Sequence, residues 1–155
     1  MPQKKSYGAI LYSFNPSGEL GIILGSESVD PQCGFFPFKG GSNISESPVQ
    51  TAIREVFEET RGLVNLHTLQ LRCKIRSKHK TYLFGLAEVN YDIIEKFNKI
   101  DVENMDPCYK EKKEIKFFRF ADIYLHKFPA ITMDAILFFK KELNHIALAG
   151  RSALL

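Results

Sequence analysis

Residues 40–63 read GGSNISESPVQTAIREVFEETRGL, and this stretch predicts the loop and helix around which the rest of the chain is arranged. Ser47 followed by Pro48 predicts a helix start, because serine can cap free backbone N–H groups and proline fits the first helical position. Gln50, three residues after Ser47, completes a capping-box pattern. Apolar and small side chains then recur at the spacing of one buried helix face: Val49, Ala52, Ile53, Val56 and Thr60.

An acidic cluster lies on the neighbouring face of this predicted helix. Glu55 and Glu59 are one turn apart, Glu58 lies beside them, and Arg54 precedes Glu58 by one turn. Like charges at this spacing repel each other, and a divalent cation such as Mg²⁺ or Mn²⁺, which prefers carboxylate oxygens, would remove the repulsion. A solvated acidic helix face is the alternative and more common interpretation.

Two features favour the metal interpretation. Residues 39–41 read Lys-Gly-Gly, which predicts a turn whose exposed backbone could supply an oxygen ligand or approach a phosphate. Glu46 and Arg54 also stand at fixed positions around the cluster. The loop and the helix are therefore predicted to form one site.

The same stretch resembles the Nudix box, whose pattern is Gly, five residues, Glu, seven residues, and then Arg-Glu-U-x-Glu-Glu-x-Gly-U, where U is aliphatic. One departure follows the last acidic position, where Thr60 and Arg61 stand in place of a single residue before Gly62 and Leu63. We expect this insertion to alter the helix exit more than the metal ligands. The positions that match in register are Gly40, Glu46, Arg54, Glu55, Val56, Glu58 and Glu59.

The resemblance implies an α/β fold, a Nudix α/β/α sandwich with a mixed sheet, a loop–helix box and a C-terminal helix, in one domain over residues 1–155. Strands are predicted over residues 8–14, 20–24, 64–69, 71–76, 81–89 and 114–120. Helices beyond the box are predicted over 91–102 and 131–148, loops over 26–33 and 104–113, and a frayed tail from 151.

The resemblance also implies metal-dependent hydrolysis of a phosphoanhydride bond, with Mg²⁺ or Mn²⁺ as the cofactor. Arg54 would then orient the carboxylates, and the backbone at Lys39 or Gly40 would supply one ligand. Glu114 is a further candidate for metal binding or for the general base, because many family members have a glutamate near this late strand. Its alternative role is an ion pair with a neighbouring lysine. The box residues implied as metal ligands, one of them the base, are Glu55, Glu58 and Glu59.

A basic hairpin is the second informative stretch. Residues 71–76 alternate apolar with basic side chains, which predicts a strand with one cationic face. An edge strand protected by lysines explains this pattern as well as a surface for polyphosphate or RNA does. Residues 77–82 resemble the Lys-His-Arg-Thr-Tyr segment of the diphosphoinositol polyphosphate phosphohydrolase branch, in which the basic residues contact substrate phosphates. The candidate substrate-binding residues are Lys39, Arg76, Lys78, His79 and Lys80.

Three functions follow from these interpretations. The first is hydrolysis of diphosphoinositol polyphosphates, of diadenosine polyphosphates, or of both. The second is a Nudix hydrolase of nucleotides such as an mRNA cap, a nucleotide sugar or a nucleoside triphosphate, because the Phe-Pro-x-Lys-Gly sequence of residues 36–40 also resembles decapping domains. The third is a Nudix-fold binding module without catalysis, which the intact box disfavours. The expected partner is a polyphosphorylated small molecule, or RNA if the enzyme removes caps.

The composition limits the class of protein to which this chain can belong. A chain of 155 residues with 45% hydrophobic and 25% charged residues is typical of one globular domain. No apolar run approaches the roughly 20 residues of a membrane helix, and we expect no secretory signal. Cys33, Cys73 and Cys108 form no CxxC pair, which disfavours structural zinc and favours reduced thiols in the cytoplasm, or in the nucleus. A charge of +3 permits an anionic partner. We expect a monomer or weak dimer.

Overall fold

The computed structural model describes residues 4–27 and 34–154. Their strands are β1 (Lys4–Phe14), β2 (Leu20–Ser26), β3 (Phe38–Gly40), β4 (Cys73–Arg76), β5 (Lys80–Glu88) and β6 (Glu114–Arg119). The helices are α1 (Pro48–Glu59), α2 (Ile93–Lys99), α3 (Ala130–Phe138) and α4 (Lys140–Leu154), and short 3₁₀ helices span Pro107–Lys110 and Phe120–Leu125.

The sheet is built around β1, which is its longest strand. Its order is β4-β5-β1-β2-β6, and β3 pairs with Tyr7–Ala9 of β1, beyond the ladder that joins β1 to β2. The β1–β5 pair is parallel and the other pairs are antiparallel, so the sheet is mixed as predicted. Asn15 closes the β1–β2 turn, because its side-chain oxygen accepts hydrogen bonds from the backbone N–H groups of Ser17 and Glu19.

Helices cover both faces of the sheet. The alternation of β1 sends Tyr7, Ala9 and Leu11 toward α1 and α2, and Ile10 toward α3 and α4. Each face therefore has its own buried apolar cluster, and the α/β sandwich expected from the sequence is confirmed. In the described residues, no helix is long and apolar enough to span a membrane.

The prediction of a strand over residues 64–69 is wrong. This segment is irregular, although Val64 and Leu69 are buried in the cluster under α1. The Val64 N–H donates to the hydroxyl of Thr60, and Leu69 packs directly over Gly85 of β5, where a side chain would overlap it. The apolar side chains of this segment are explained by a loop that packs against the core, and not by a strand.

The single helix predicted over residues 131–148 is also wrong, because α3 and α4 are separate. Phe139 ends α3 in a non-helical conformation, and its ring is buried in the core. Both helices keep their apolar sides against the same face of the sheet, so apolar spacing did not reveal the break. Helix α4 spans Lys140–Leu154 and so includes most of the tail predicted from residue 151, and the loop predicted over 104–113 contains the 3₁₀ helix Pro107–Lys110.

Candidate functional site

Helix α1 begins as the sequence predicts. The Ser47 side chain accepts a hydrogen bond from the Gln50 backbone N–H at 3.2 Å, and the Gln50 side chain accepts one from the Ser47 N–H at 2.9 Å. This capping box fixes the first turn against the preceding loop. It thereby sets which way the acidic face of α1 points.

Arg54 joins the loop to the helix. Its guanidinium donates two hydrogen bonds to Glu46, at 2.7 and 3.0 Å, and a third to the carbonyl oxygen of Gly41 at 2.8 Å. It also donates to Glu55 and Glu58, each at 3.0 Å. The bidentate pair holds the pKa of Glu46 down at about 2, because Arg54 stabilises the charged carboxylate. Arg54 therefore orients two carboxylates of the predicted acidic cluster, as the sequence suggested.

Gly40 forms a cradle for Glu55. A Cβ atom at residue 40 would overlap the Glu55 carboxylate, whereas a Cβ atom at Gly41 would meet nothing within 4 Å. The glycine at residue 40 is thus required by close approach, since only a residue without a side chain leaves this room. The carboxylate of Glu55 lies directly against the end of β3.

Glu59 is the most buried carboxylate of the site, with 3% of its side chain exposed. Its Oε1 accepts a hydrogen bond from the Lys39 backbone N–H at 2.8 Å. Burial raises the pKa of Glu59 to about 7, although nearby Lys112 and Lys39 oppose the shift. Burial also raises the pKa of Glu55. Both carboxylates are therefore held in surroundings that disfavour their negative charge unless a cation joins them.

Glu111 completes the site and was missed in the sequence. Three carboxylate oxygens lie within 4.8 Å of one another, one each from Glu55, Glu59 and Glu111. Three hard oxygen donors beside a glycine cradle fit Mg²⁺ or Mn²⁺. Glu111 follows the 3₁₀ helix Pro107–Lys110, and no local spacing in the sequence linked it to α1.

The other predicted carboxylates have different surroundings. Glu58 is half-buried and accepts its hydrogen bond from Arg54, outside the group of three. Glu114 begins β6 opposite Ser26 and pairs with Lys116 at 3.5 Å. The structure therefore places Glu111, rather than Glu114, in the group with the box glutamates.

The departure from the box pattern at residues 60–62 forms a helix C-cap. The Arg61 N–H donates to the Glu58 carbonyl, and the Gly62 N–H donates to the Phe57 carbonyl at 2.7 Å. Arg61 has a φ of 56°, in the left-handed region where a glycine is usual. Its guanidinium lies 3.8 Å from the Phe97 ring centroid and donates to the backbone oxygens of Phe97 and Lys112. Arg61 thus ties the end of α1 to the segment that carries Glu111.

Two lysines lie close to the buried carboxylate of Glu59. Lys112 is 1% exposed, and its ammonium lies 3.9 Å from Glu59 and 4.0 Å from Glu27. Lys39 is half-buried, and burial together with the ammonium groups of Lys112 and Lys80 lowers its pKa. Lys39 of β3, Lys80 of β5 and Lys112, which lies just before β6, therefore form a cationic wall that meets the acidic group at Glu59.

The basic hairpin forms as predicted, but most of its basic side chains point into solvent. β4 pairs with β5 in antiparallel register, with Arg76 opposite Thr81. Arg76, Lys78 and His79 are exposed, whereas Lys80 is half-buried and faces the ring of Tyr82. Lys80 is the hairpin residue that lies close enough to Lys39 to help lower its pKa.

Comparisons agree with this architecture. The family profile of the NUDIX domain matches residues 4–136. A search of curated proteins finds no significant match. Among solved structures, the NUDIX domain of Shewanella oneidensis NrtR complexed with ADP ribose has a TM-score of 0.67 at 16% identity, covering 92% of this chain and 90% of that one.

Two further solved structures share the fold. A C. elegans Ap4A hydrolase binary complex has a TM-score of 0.60 at 23% identity, covering 95% of this chain and 98% of that one. A mutT/nudix family protein from Listeria innocua has a TM-score of 0.66 at 18% identity, covering 94% and 98%. These comparisons do not support a particular likeness to the diphosphoinositol polyphosphate branch.

Proposed function

Because this chain belongs to the Nudix family, we propose that it is a metal-dependent hydrolase that cleaves a phosphoanhydride bond in a small polyphosphorylated substrate. One observation carries this proposal. Three carboxylates from α1 and the segment before β6 converge beside Gly40, where the glycine leaves room for Glu55 and Arg54 holds the loop to the helix. A structural acidic patch would need neither the cradle nor the convergence.

The chain's own residues supply most of the chemistry. Glu55, Glu59 and Glu111 would hold the cation, and Arg54 would keep the Glu55 carboxylate turned toward it. When bound, the cation offsets phosphate charge and lowers the pKa of a water molecule. Glu58, which lies one turn beyond Arg54 and outside the group of three, is the proposed general base that takes the proton from that water.

The cationic wall orients the substrate. The Lys112 ammonium lies 3.9 Å from Glu59, and Lys39 lies close enough to influence the same carboxylate, so both ammonium groups would offset the charge of phosphate oxygens bound beside the acidic group. The proposed substrates are diadenosine polyphosphates first, with diphosphoinositol polyphosphates retained as a second class. The solved C. elegans Ap4A hydrolase shares the fold and is consistent with the first class.

A substrate panel tests the proposal. Purified protein would be incubated with Mg²⁺ or with a chelator and with diadenosine polyphosphates, diphosphoinositol polyphosphates, capped RNA, ADP-ribose or nucleoside triphosphates. We expect hydrolysis that requires Mg²⁺ and that prefers diadenosine polyphosphates. Preference for capped RNA would instead assign the cationic wall to RNA and make this a compact decapping enzyme.

Matched variants connect the activity to the site. Glu55→Gln and Glu59→Gln keep the side-chain shape but remove a charge, and each should lower kcat by at least about 100-fold. Glu114→Gln is the control, because its carboxylate pairs with Lys116 outside the group. Tight binding of a pyrophosphate compound without turnover of any substrate would favour a binding module and contradict the proposed function.

A further inference from the structure

The Glu111 carboxylate differs from the other two carboxylates of the proposed metal site in how it is held. Glu55 accepts a hydrogen bond from Arg54 at 3.0 Å, and Glu59 accepts one from the Lys39 backbone N–H at 2.8 Å. Among the residues that the structure describes, no hydrogen bond or ion pair reaches the exposed carboxylate of Glu111. The position of Glu111 therefore depends on the backbone of its own segment.

Side chains at the C-terminal end of α1 contact the segment before β6 that carries Glu111. The Phe57 ring meets the Tyr109 ring edge to face, with the two centroids 6.2 Å apart. The Arg61 guanidinium donates a hydrogen bond to the backbone oxygen of Lys112 at 3.0 Å. A hydrogen bond is directional, whereas an apolar ring contact tolerates sliding. Arg61 therefore fixes the residue next to Glu111 relative to α1.

The Arg61 guanidinium is itself held from a second direction. Another of its nitrogens donates to the Phe97 backbone oxygen at 3.0 Å, and its central carbon lies 3.8 Å from the Phe97 ring centroid. That ring is buried in the apolar cluster under α1. An arginine suits this position, because its rigid fork of donors can reach two carbonyl oxygens while its planar group lies against an aromatic ring. One side chain thus joins the end of α1, the end of α2 and the segment before β6.

We infer that Arg61 is a positioning residue for the proposed metal site, and that it raises the affinity for the cation by holding Glu111 within reach of Glu55 and Glu59. This inference rests on the proposed function and deepens it. A ligand that is already in place costs little entropy when the cation binds, whereas a glutamate on a loosened segment has to be ordered first. Arg61 stands where the chain departs from the box pattern, so that pattern assigns it no role.

The alternative is that Arg61 only ends α1. Its φ of 56° lies in the left-handed region, which glycine adopts without steric cost. Arg61→Gly would therefore suit the helix end while removing the whole side chain. Arg61→Met would remove the donors while keeping an unbranched apolar stem beside Phe97. If Arg61 only ended the helix, both variants would bind a cation as the unmodified protein does.

A Mn²⁺ titration followed by electron paramagnetic resonance, without substrate, distinguishes the two roles. We expect Arg61→Met and Arg61→Gly each to bind Mn²⁺ at least about tenfold more weakly, as for other groups that orient metal ligands. Loss of a positive charge would by itself strengthen the binding of a cation, so weaker binding would not be an effect of charge. Lys99→Met is the control and should leave the affinity unchanged, because it removes an exposed positive charge that pairs with Glu95 on α2.

A double-mutant cycle with Glu111→Gln shows through which residue Arg61 acts. The third carboxylate is already lost in Glu111→Gln, so adding Arg61→Met should change the Mn²⁺ affinity by less than about twofold. Equal losses in the two backgrounds, or an unchanged affinity in Arg61→Met alone, would overturn the inference. If circular dichroism shows that Arg61→Met does not fold, Arg61→Gly carries both measurements.

Kinetics separate failure of this inference from failure of the proposed function. In Arg61→Met, the Mg²⁺ concentration for half-maximal hydrolysis should rise about tenfold, whereas kcat at saturating Mg²⁺ should fall less than about threefold, because Arg61 acts through Glu111. A lower kcat with an unchanged Mg²⁺ requirement would overturn the inference and leave the hydrolase. Mn²⁺ binding that depends on Arg61 and Glu111, without hydrolysis of any substrate, would overturn the proposed function and leave the inference.

Discussion

The glutamate site of α1 and the tip of the β4–β5 hairpin are both dense in charge, but the chain holds them in opposite ways. At α1, Arg54 contacts four partners, and Gly40 admits the Glu55 carboxylate. At the hairpin tip, Lys78 and His79 are exposed.

The difference separates charges that are fixed in position from charges that are only exposed to solvent. Charges at α1 are oriented before any ligand arrives, so ordering a bound cation or phosphate costs little additional entropy. Charges at the tip remain in water, where they attract anions over a distance but do not orient them. The following substitutions test this contrast, in order of decreasing effect on the protein.

Gly40→Ala should damage the site most severely. The added methyl group would displace the Glu55 carboxylate from its cradle, and we expect hydrolysis to fall about 1000-fold, equivalent to about 4 kcal/mol. Gly41→Ala is the matched control, because a Cβ atom there meets nothing within 4 Å. Steady-state kinetics with Mg²⁺ measures both, and circular dichroism checks that each variant folds. Equal activity of the two variants would show that the cradle is irrelevant to the reaction.

The pH dependence of stability should distinguish Glu59 from Glu46. With the pKa of Glu59 raised to about 7, the folded protein binds that proton more tightly than the unfolded chain does between pH 4.5 and 7. In metal-free protein, this group should therefore lower the free energy of unfolding as pH rises through that range, by at most about 3 kcal/mol. Glu46, whose pKa is lowered to about 2, contributes stability above pH 4.5 that is lost as pH falls toward 2.

Glu59→Gln isolates the first of these two effects. Urea unfolding in a chelator should show the variant more stable than the unmodified protein at pH 8 and equal to it near pH 4. Added Mg²⁺ should reverse the order at pH 8, because it stabilises the charged carboxylate only when Glu59 is present. A pH-independent difference would contradict the account of a buried, ionisable Glu59.

Arg54→Lys should have an intermediate effect. Lysine keeps the charge but cannot donate in a fork to Glu46 while also reaching Gly41, Glu55 and Glu58. We expect the Mg²⁺ concentration for half-maximal activity to rise about 10- to 100-fold, as for other groups that orient metal ligands. Arg72→Lys, in the exposed pair of Arg72 with Glu142, is the control and should change nothing measurable. An unchanged Mg²⁺ requirement in Arg54→Lys would remove Arg54 from its orienting role.

The hairpin tip should show the smallest effect. Replacing Lys78 and His79 together by alanine should lower kcat/KM for diadenosine tetraphosphate less than about threefold at physiological salt, and somewhat more at low salt, where exposed charges are less screened. A tenfold loss confined to diphosphoinositol polyphosphates would contradict this ranking and restore the hairpin as a specific phosphate-reading surface.

Sequence reasoning succeeded where contacts are local. The capping box of Ser47 and Gln50, and the pairing of Arg54 with Glu58, depend on three- and four-residue spacing within α1, so both were predicted correctly. The residue that departs from the box pattern proved informative in another way. Arg61 adopts the left-handed conformation of a C-cap and uses its long side chain to reach the segment before β6, which an insertion at the helix exit alone would not suggest.

Long-range contacts account for what was missed. Glu111 and Lys112 join the site across more than 50 positions, and their place depends on the pairing of β2 with β6 and on Arg61. The break at Phe139 depends on how its ring fits the core on the other face of the sheet. Neither the approach of Glu111 and Lys112 nor the break at Phe139 produces a periodic pattern in the sequence. The apolar face of α1 does produce one.

A titration with Mn²⁺, followed by electron paramagnetic resonance, tests the proposed metal site itself, because it detects the cation without any substrate. We predict that the unmodified protein and Glu114→Gln bind Mn²⁺ equally well, and that Glu59→Gln and Glu111→Gln bind it at least about tenfold more weakly. Unchanged Mn²⁺ affinity in Glu59→Gln, or a loss confined to Glu114→Gln, would contradict a metal site built from α1 and Glu111.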